Sequence, residues 1–265
     1  MRVRFLGTGT SYGVPRLRCR CATCTSSDPR DRRRRASALV EVGDRRLLID
    51  VGPDFRAQAL DADLWKLDAV FVTHFHADHV FGLDDLRGLT DDVVEPLPVV
   101  GGPETCDELA RVFPYIFTTR PYPGLANLAL RRIEDGVFAE VGGFGLLPFA
   151  VPHGRGRTFG LRVGSFGYLV DCHVVPDSAI AALRGVDVLA LDLLQDAPHP
   201  THLGRAAALE AARKIGARET WFLHMCHELK HAETDATLPP GMRLAYDGLT
   251  VDVGAPRADV SPPRA

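Results

Sequence analysis

Apolar residues fall along this chain in short runs separated by glycine, proline and charged residues, and the period of the runs changes from place to place. Val3 and Phe5 alternate with arginines, which predicts an opening strand over residues 3–7. Gly7-Thr8-Gly9-Thr10-Ser11 then reads as a loop in which glycine permits a close backbone approach. Residues 38–42 and 45–51 are strand-like and meet at Gly43-Asp44, a hairpin signal. A helix is expected from about 54 to 60, a strand over 69–72, and a further amphipathic helix over 80–89. Downstream, the pattern predicts a strand near 97–100, a helix over 103–112 and several short strands between 128 and 170. An apolar run at 186–193, a long helix from about 203 to 215 and a strand over 220–223 follow.

Strands interleaved with helices, without an internal repeat, describe a layered α/β protein with mixed sheets. With 265 residues, 46% of them apolar and 25% charged, the chain has material for one large core, which excludes disorder as its main state. We place one domain over residues 1–254, with an excursion at 15–35, and a frayed tail over 255–265. Lys plus Arg number 31 against 34 Asp plus Glu, a net charge of −3, so no global field favours nucleic acid or an anionic membrane. Apolar runs stay short of the roughly 18–20 residues that cross a bilayer, and the first residues alternate unlike a signal peptide, so a cytoplasmic location is expected.

Three of the six cysteines crowd into Cys19-Arg20-Cys21-Ala22-Thr23-Cys24, where disulfides are geometrically awkward and a metal in a reducing compartment is the simpler reading. The strongest signal is His74-Phe75-His76-Ala77-Asp78-His79, directly after an apolar strand. Crowding three imidazoles and a carboxylate there is costly unless a cation compensates. His153, Asp171 and His224 each close an apolar strand elsewhere in the chain and complete a candidate set.

His-x-His-x-Asp-His followed by a distant His, Asp and His resembles the metallo-β-lactamase superfamily. The resemblance implies a four-layer αββα sandwich with a two-metal site at one edge of the sheets. It also implies that His74, His76 and His153 hold one ion, that Asp78, His79 and His224 hold the other, and that Asp171 bridges them. Asp50, in Asp50-Val51-Gly52, matches an aspartate that braces the histidine loop. A carboxylate bridge suits zinc or manganese. Two divalent ions balanced by Asp78, Asp171 and a bridging hydroxide leave a residual charge of about +1, which suits a monoanionic phosphodiester but also admits a carboxylate or a lactam.

A more specific resemblance, running almost from end to end, is to the phosphoribosyl cyclic phosphodiesterases of the carbon–phosphorus lyase pathway, the PhnP-type proteins. It rests on Cys19-x-Cys21-x-x-Cys24, on His224-Met225-Cys226-His227, on Thr201-His202-Leu203 opening the long helix, and on Leu238-Pro239-Pro240-Gly241 through Asp247-Gly248. It implies a structural zinc held by Cys19, Cys21, Cys24 and His227, closed to water, beside the two catalytic ions. Cys106, Cys172 and Cys226 are expected as small buried residues.

His202 matches a histidine beside the substrate phosphate, able to protonate a departing alkoxide. His231 looks solvated, and His173 and His199 match no ligand position. The implied activity is hydrolysis of a small cyclic phosphate by a metal-bridging hydroxide, with Asp78 as a catalytic residue. The rivals are an RNA-processing nuclease and a thioester or lactone hydrolase of the same superfamily. Arg30-Asp31-Arg32-Arg33-Arg34-Arg35 invites a nucleic-acid partner. Its shortness and the acidic net charge argue instead for a role in the fold or toward a small phosphorylated substrate. The resemblance also admits a homodimer.

Overall fold

Stretches such as Leu47-Leu48-Ile49 and Ala69-Val70-Phe71-Val72 are apolar at every position, so a strand built from them has two faces to bury. In the computed structural model, which describes residues 1–91, 93–118 and 123–254, that demand is met by two stacked seven-stranded sheets with helices on both outer sides. β1 (Arg2–Gly7), β2 (Ser37–Val42), β3 (Arg45–Ile49), β4 (Ala69–Val72), β5 (Leu97–Gly101) and β6 (Leu128–Arg132) lie side by side in chain order. β7 (Ala139–Val141), β8 (Phe144–His153), β9 (Gly156–Val163), β10 (Phe166–Leu169), β11 (Val188–Asp192), β12 (Glu219–Leu223) and β13 (Met242–Leu244) do the same in the second sheet. β14 (Thr250–Asp252) pairs antiparallel with β1 at the edge of the first.

The period of two sorts the side chains. Leu47 and Ile49 face inward, into a core shared with Phe71, Phe166 and Tyr168. Leu48 faces outward, into a second core under α1 (Phe55–Asp61), α2 (Ala77–Val80) and α3 (Pro103–Val112). On the far side, α4 (Asp177–Leu183) and α5 (Arg205–Ile215) cover Leu189, Leu191 and Phe222, and α6 (His231–Asp235) precedes β13. The expected four layers are therefore present. No helix among the described residues is long and apolar enough to cross a membrane.

Topology sets where chemistry can occur. β3, β4 and β5 run parallel in one sheet, and β10, β11 and β12 run parallel in the other. Their C-terminal ends open onto one edge of the sandwich, the usual place for a ligand crevice in such sheets.

Several expectations need correction. The helix expected over 80–89 is one α-turn, α2, followed by a 3-10 helix at Leu83–Leu89. Gly82 donates its N–H to the Val51 carbonyl at 2.9 Å, and a Cβ there would lie 2.1 Å from the Gly52 carbonyl oxygen, so this crossing interrupts the α-helix. The long helix starts at Arg205 after Gly204, which leaves His202 in the preceding loop. α4, α6, β13 and β14, of three to seven residues each, were too short to establish a period. The hairpin at Gly43-Asp44 forms, with Gly43 at φ +59°. The tail expected at 255–265 lies outside the described residues.

Candidate metal centre

Asp50, Asp171 and His224 follow closely on β3, β10 and β12, and all three hold the left-handed backbone conformation, with φ of 61°, 55° and 63°. Asp and His tolerate this region better than most residues, yet each such residue costs of order 1 kcal/mol or more. The strained turns aim the three side chains at the common sheet edge. There they meet the loop that leaves β4 as Thr73-His74 and the end of β8 at His153.

Hydrogen bonds then fix which ring nitrogens face the centre. Thr73 donates its hydroxyl to Asp50 (3.0 Å), so the same oxygen can accept from His74 Nδ1 at 3.0 Å, leaving the Nε2 lone pair inward. His79 Nδ1 lies 2.8 Å from Asp50 Oδ2, and His153 Nδ1 lies 3.1 Å from the Thr201 carbonyl. Both rings therefore also present Nε2 to the cluster, the arrangement by which outer carboxylates and carbonyls orient ligating imidazoles. Asp50 additionally accepts the Thr73 N–H at 2.8 Å, so this one buried carboxylate braces the whole loop.

Two groups result. His74, His76 and His153 converge on one point, with His74 Nε2 2.8 Å and His153 Nε2 3.4 Å from His76 Nδ1. Asp78, His79 and His224 converge on another, with His79 Nε2 3.2 Å and His224 Nε2 3.8 Å from Asp78 Oδ2. Asp171 stands between them. Its Oδ2 is 2.8 Å from His79 Nε2 and 3.4 Å from His224 Nε2, while its Oδ1 is 3.9 Å from His153 Nε2. His202 Nδ1 sits 3.4 Å from both Asp171 Oδ1 and Asp192 Oδ2, and its ring stacks on that of His224.

The electrostatics ask for positive charge. Burial disfavours protonation of His79, but Asp78, Asp50 and Asp171 outweigh it and hold its pKa well above the ordinary value. Burial likewise works against His224, yet Asp171, Asp78 and Asp192 raise it to about 9. Burial, reinforced by His79, keeps His74 well below the ordinary value, hence neutral and ready to donate a lone pair. His79 Nε2 and His224 Nε2 are buried and face Asp171 Oδ2 at 2.8 and 3.4 Å. Buried carboxylates and imidazoles this close need positive charge among them, supplied by protons on His79 and His224 or by a bound cation in their place. The residues present fit divalent ions.

A separate cluster lies in the 15–35 excursion. Sγ of Cys19 and of Cys21 are 3.4 and 3.3 Å from His227 Nδ1, and Cys24 Sγ completes the group. His227 and the Cys24 N–H lower the Cys21 thiol to about 6, while burial pushes Cys24 up to about 11. The donor set, three sulfurs and one imidazole, fits a closed tetrahedral zinc.

Apart from the exposed Arg32, the arginine run is absorbed by the fold. Arg33 is completely buried and donates to the carbonyls of Cys226 (2.8 Å) and Leu229 (2.5 Å) and to Asp31 (3.1 Å), clamping the segment that carries His227. Arg30, Arg34 and Arg35 pair with Asp28, Asp61 and Asp54. The close approach expected at Gly7-Thr8-Gly9 is to the chain itself: a Cβ on Gly7 would lie 1.9 Å from the Arg35 carbonyl oxygen.

His231 is a correction, being 1% exposed against Tyr246 rather than solvated. Cys106 and Cys172 are buried, but Cys226 is partly exposed. Asp192, which no sequence motif marks, closes an apolar strand just as Asp50 and Asp171 follow theirs. Fully buried, it accepts the N–H groups of Cys172 (3.2 Å) and Leu203 (3.3 Å) and faces His202. A cleft of about 730 Å³ opens over the cluster, walled by α3 and by the β8–β9 turn.

Known proteins place this arrangement. A model described as a beta-lactamase superfamily domain matches residues 45–225. A crystal structure described as a new diphosphatase from the PhnP family superposes with a TM-score of 0.88 and 41% identity, covering 95% of this chain and 97% of that one. Zinc-bound PqqB from Methylobacterium extorquens superposes with a TM-score of 0.78 at 22% identity, over 95% of this chain and 100% of that one, a likeness of fold. Ribonuclease Z of Bacillus subtilis is 30% identical over 264 residues, 93% of this chain and 80% of that protein. An octanoyltransferase of Porphyromonas gingivalis is 36% identical over 253 residues, 94% of this chain, but the chain spans only 51% of its length, about half.

Proposed function

The chain belongs to the metallo-β-lactamase superfamily, and from that premise we propose that it is a two-metal phosphodiesterase that opens a small cyclic phosphate. The observation that carries this reading is Asp171, whose two carboxylate oxygens face the two histidine groups separately. His74, His76 and His153 would hold one ion, and Asp78, His79 and His224 the other. Zinc or manganese there would act as a Lewis acid and lower the pKa of water. A third ion, zinc, would sit among Cys19, Cys21, Cys24 and His227.

The protein's own groups supply the rest. Asp78, on the floor of the cleft, orients the attacking water toward phosphorus by accepting its hydrogen bond. His202 lines the same cleft and, backed by Asp192, carries the proton that the departing alkoxide needs. A phosphodiester carries one negative charge, matching the small residual positive charge of a site with two carboxylates. The substrate on this reading is a small phosphorylated molecule, met in the cytoplasm.

A second reading, cleavage of a phosphoric anhydride in a diphosphate, is favoured by the 41% identity to a protein described as a diphosphatase. Phosphorus NMR separates the two. Zinc- or manganese-loaded protein is incubated with 5-phosphoribosyl 1,2-cyclic phosphate, 2′,3′-cyclic nucleotides and a nucleoside diphosphate, beside His76→Ala. Ring opening that vanishes in the variant is expected. Cleavage of the diphosphate alone would replace the first reading by the second, and no P–O cleavage in the loaded protein would overturn both.

A further inference from the structure

The two halves of the histidine cluster are not equivalent. Asp78, His79 and His224 include a carboxylate of their own, whereas His74, His76 and His153 are three imidazoles. Asp171 leans toward the carboxylate-bearing group: its Oδ2 is 2.8 Å from His79 Nε2 and 3.4 Å from His224 Nε2, while its Oδ1 is 3.9 Å from His153 Nε2. A divalent ion is held more firmly where more carboxylate charge faces it, above all out of contact with water. His79 and His224 are buried, at 0% and 1% exposed, while His76 on the other side is exposed.

The groups behind the rings differ in the same sense. His79 Nδ1 meets Asp50 Oδ2 at 2.8 Å, and His224 Nδ1 faces Asp192 Oδ1 at 3.8 Å. A carboxylate behind an imidazole raises its basicity and its hold on a metal. His74 is backed instead by the Thr73 hydroxyl at 3.0 Å and His153 by the Thr201 carbonyl at 3.1 Å, both uncharged. The ring of His76 meets neither a carboxylate nor a carbonyl in a hydrogen bond among the described residues; its ring contacts are His74 and His153. Two divalent ions that share one carboxylate also repel each other, so whichever enters second binds against the charge of the first.

We propose that the centre fills in a fixed order. The ion among Asp78, His79 and His224 enters first and is retained. The ion among His74, His76 and His153 enters last and exchanges with the medium, so the concentration of free divalent ion sets the fraction of molecules that hold both. This rests on the two-metal reading of the centre and not on the identity of the substrate. It also gives Asp192 a use besides His202, as the carboxylate that strengthens His224 toward the retained ion.

Fully zinc-loaded protein is dialysed against zinc buffers of falling free concentration and its ions per chain are counted by mass spectrometry. Crystals equilibrated at the same concentrations are recorded on both sides of the zinc edge, which counts the thiol site separately. Loss from the cluster in two steps, about tenfold or more apart in free zinc, is expected, with the peak among His74, His76 and His153 fading first. His76→Ala should lack that first step and keep the second. Asp192→Asn should raise the free zinc at which the second ion leaves about tenfold or more, narrowing the gap, while His202→Ala should move neither step. Retention of the last ion among His74, His76 and His153, or loss of both in one step, would overturn the order and leave a two-metal centre standing. A cluster that holds one ion or none at saturating zinc would overturn the two-metal reading and the order with it.

Discussion

Replacing Arg33 by methionine tests whether the arginine run is architecture. The side chain is fully buried, and its removal strands the Cys226 and Leu229 carbonyls and leaves Asp31 with only the His231 N–H as a donor. Breaking a buried ion pair by deleting one partner costs about 3–5 kcal/mol. The stranded carbonyls contribute to that same penalty, because their partner is the same guanidinium, so the figure is not multiplied by the number of bonds. At this chain length ~1 kcal/mol moves the melting temperature by about 2–4 °C, which puts the expected fall near 10 °C. The lost bonds flank His227, so zinc at the thiol cluster should fall with stability while the main cluster retains its metal. Urea unfolding followed by tryptophan fluorescence, with metal counted per chain by mass spectrometry, reads both effects. Arg33→Lys keeps the charge but not the fork and should fall between. A methionine variant within 1 kcal/mol of wild type and with its thiol-site zinc intact would refute the reasoning.

Three other outcomes follow from the geometry. Burial, helped by Arg30 and Arg33, pushes the His231 imidazole from 6.5 down to about 4, so its contribution to stability is intact above pH 6.5 and is lost as the pH falls through 4. Burial raises Asp247 from 3.8 to about 6, so its contribution is intact below pH 3.8 and is lost as the pH rises through 6. Between pH 4 and 6 the two oppose: relative to wild type, His231→Phe should make stability fall with rising pH and Asp247→Asn should make it rise, each by up to about 1.4 kcal/mol per unit, and parallel profiles by chemical denaturation would contradict this. Gly52→Ala would place a Cβ 2.0 Å from the Asp78 carbonyl oxygen and should cost about 1–3 kcal/mol together with metal at the main cluster, whereas Gly88→Ala, which meets nothing within 4 Å, should be neutral in thermal melts. His202→Ala should slow phosphodiester turnover about 100-fold or more with metal content unchanged, and loss of metal would reassign it as a ligand.

Much of this was legible in the sequence because the signals were local. A strand followed by His-x-His-x-Asp-His declares itself within a dozen residues, and Cys19, Cys21 and Cys24 do so within six. The sandwich is written in runs such as Leu47-Leu48-Ile49, where both faces are apolar. What escaped depends on contacts distant in the chain. The role in the fold expected somewhere in the arginine run falls to Arg33 only because Cys226 and Leu229 close over it, and His231 looks exposed until Tyr246 packs on it. The helix at 80–89 breaks because of Gly52, some thirty residues earlier. Asp192 was readable in principle, since it closes its strand in the manner of the recognised aspartates, but nothing beside it in sequence marks it as a neighbour of His202.

The central claim is that this cluster holds two ions shared by Asp171. Anomalous diffraction from crystals of zinc-loaded protein, recorded on both sides of the zinc edge, tests it most directly. The account predicts one peak among His74, His76 and His153, a second among Asp78, His79 and His224 with Asp171 touching both, and a third among Cys19, Cys21, Cys24 and His227. A single peak at the main cluster, or none beside a filled thiol site, would contradict it.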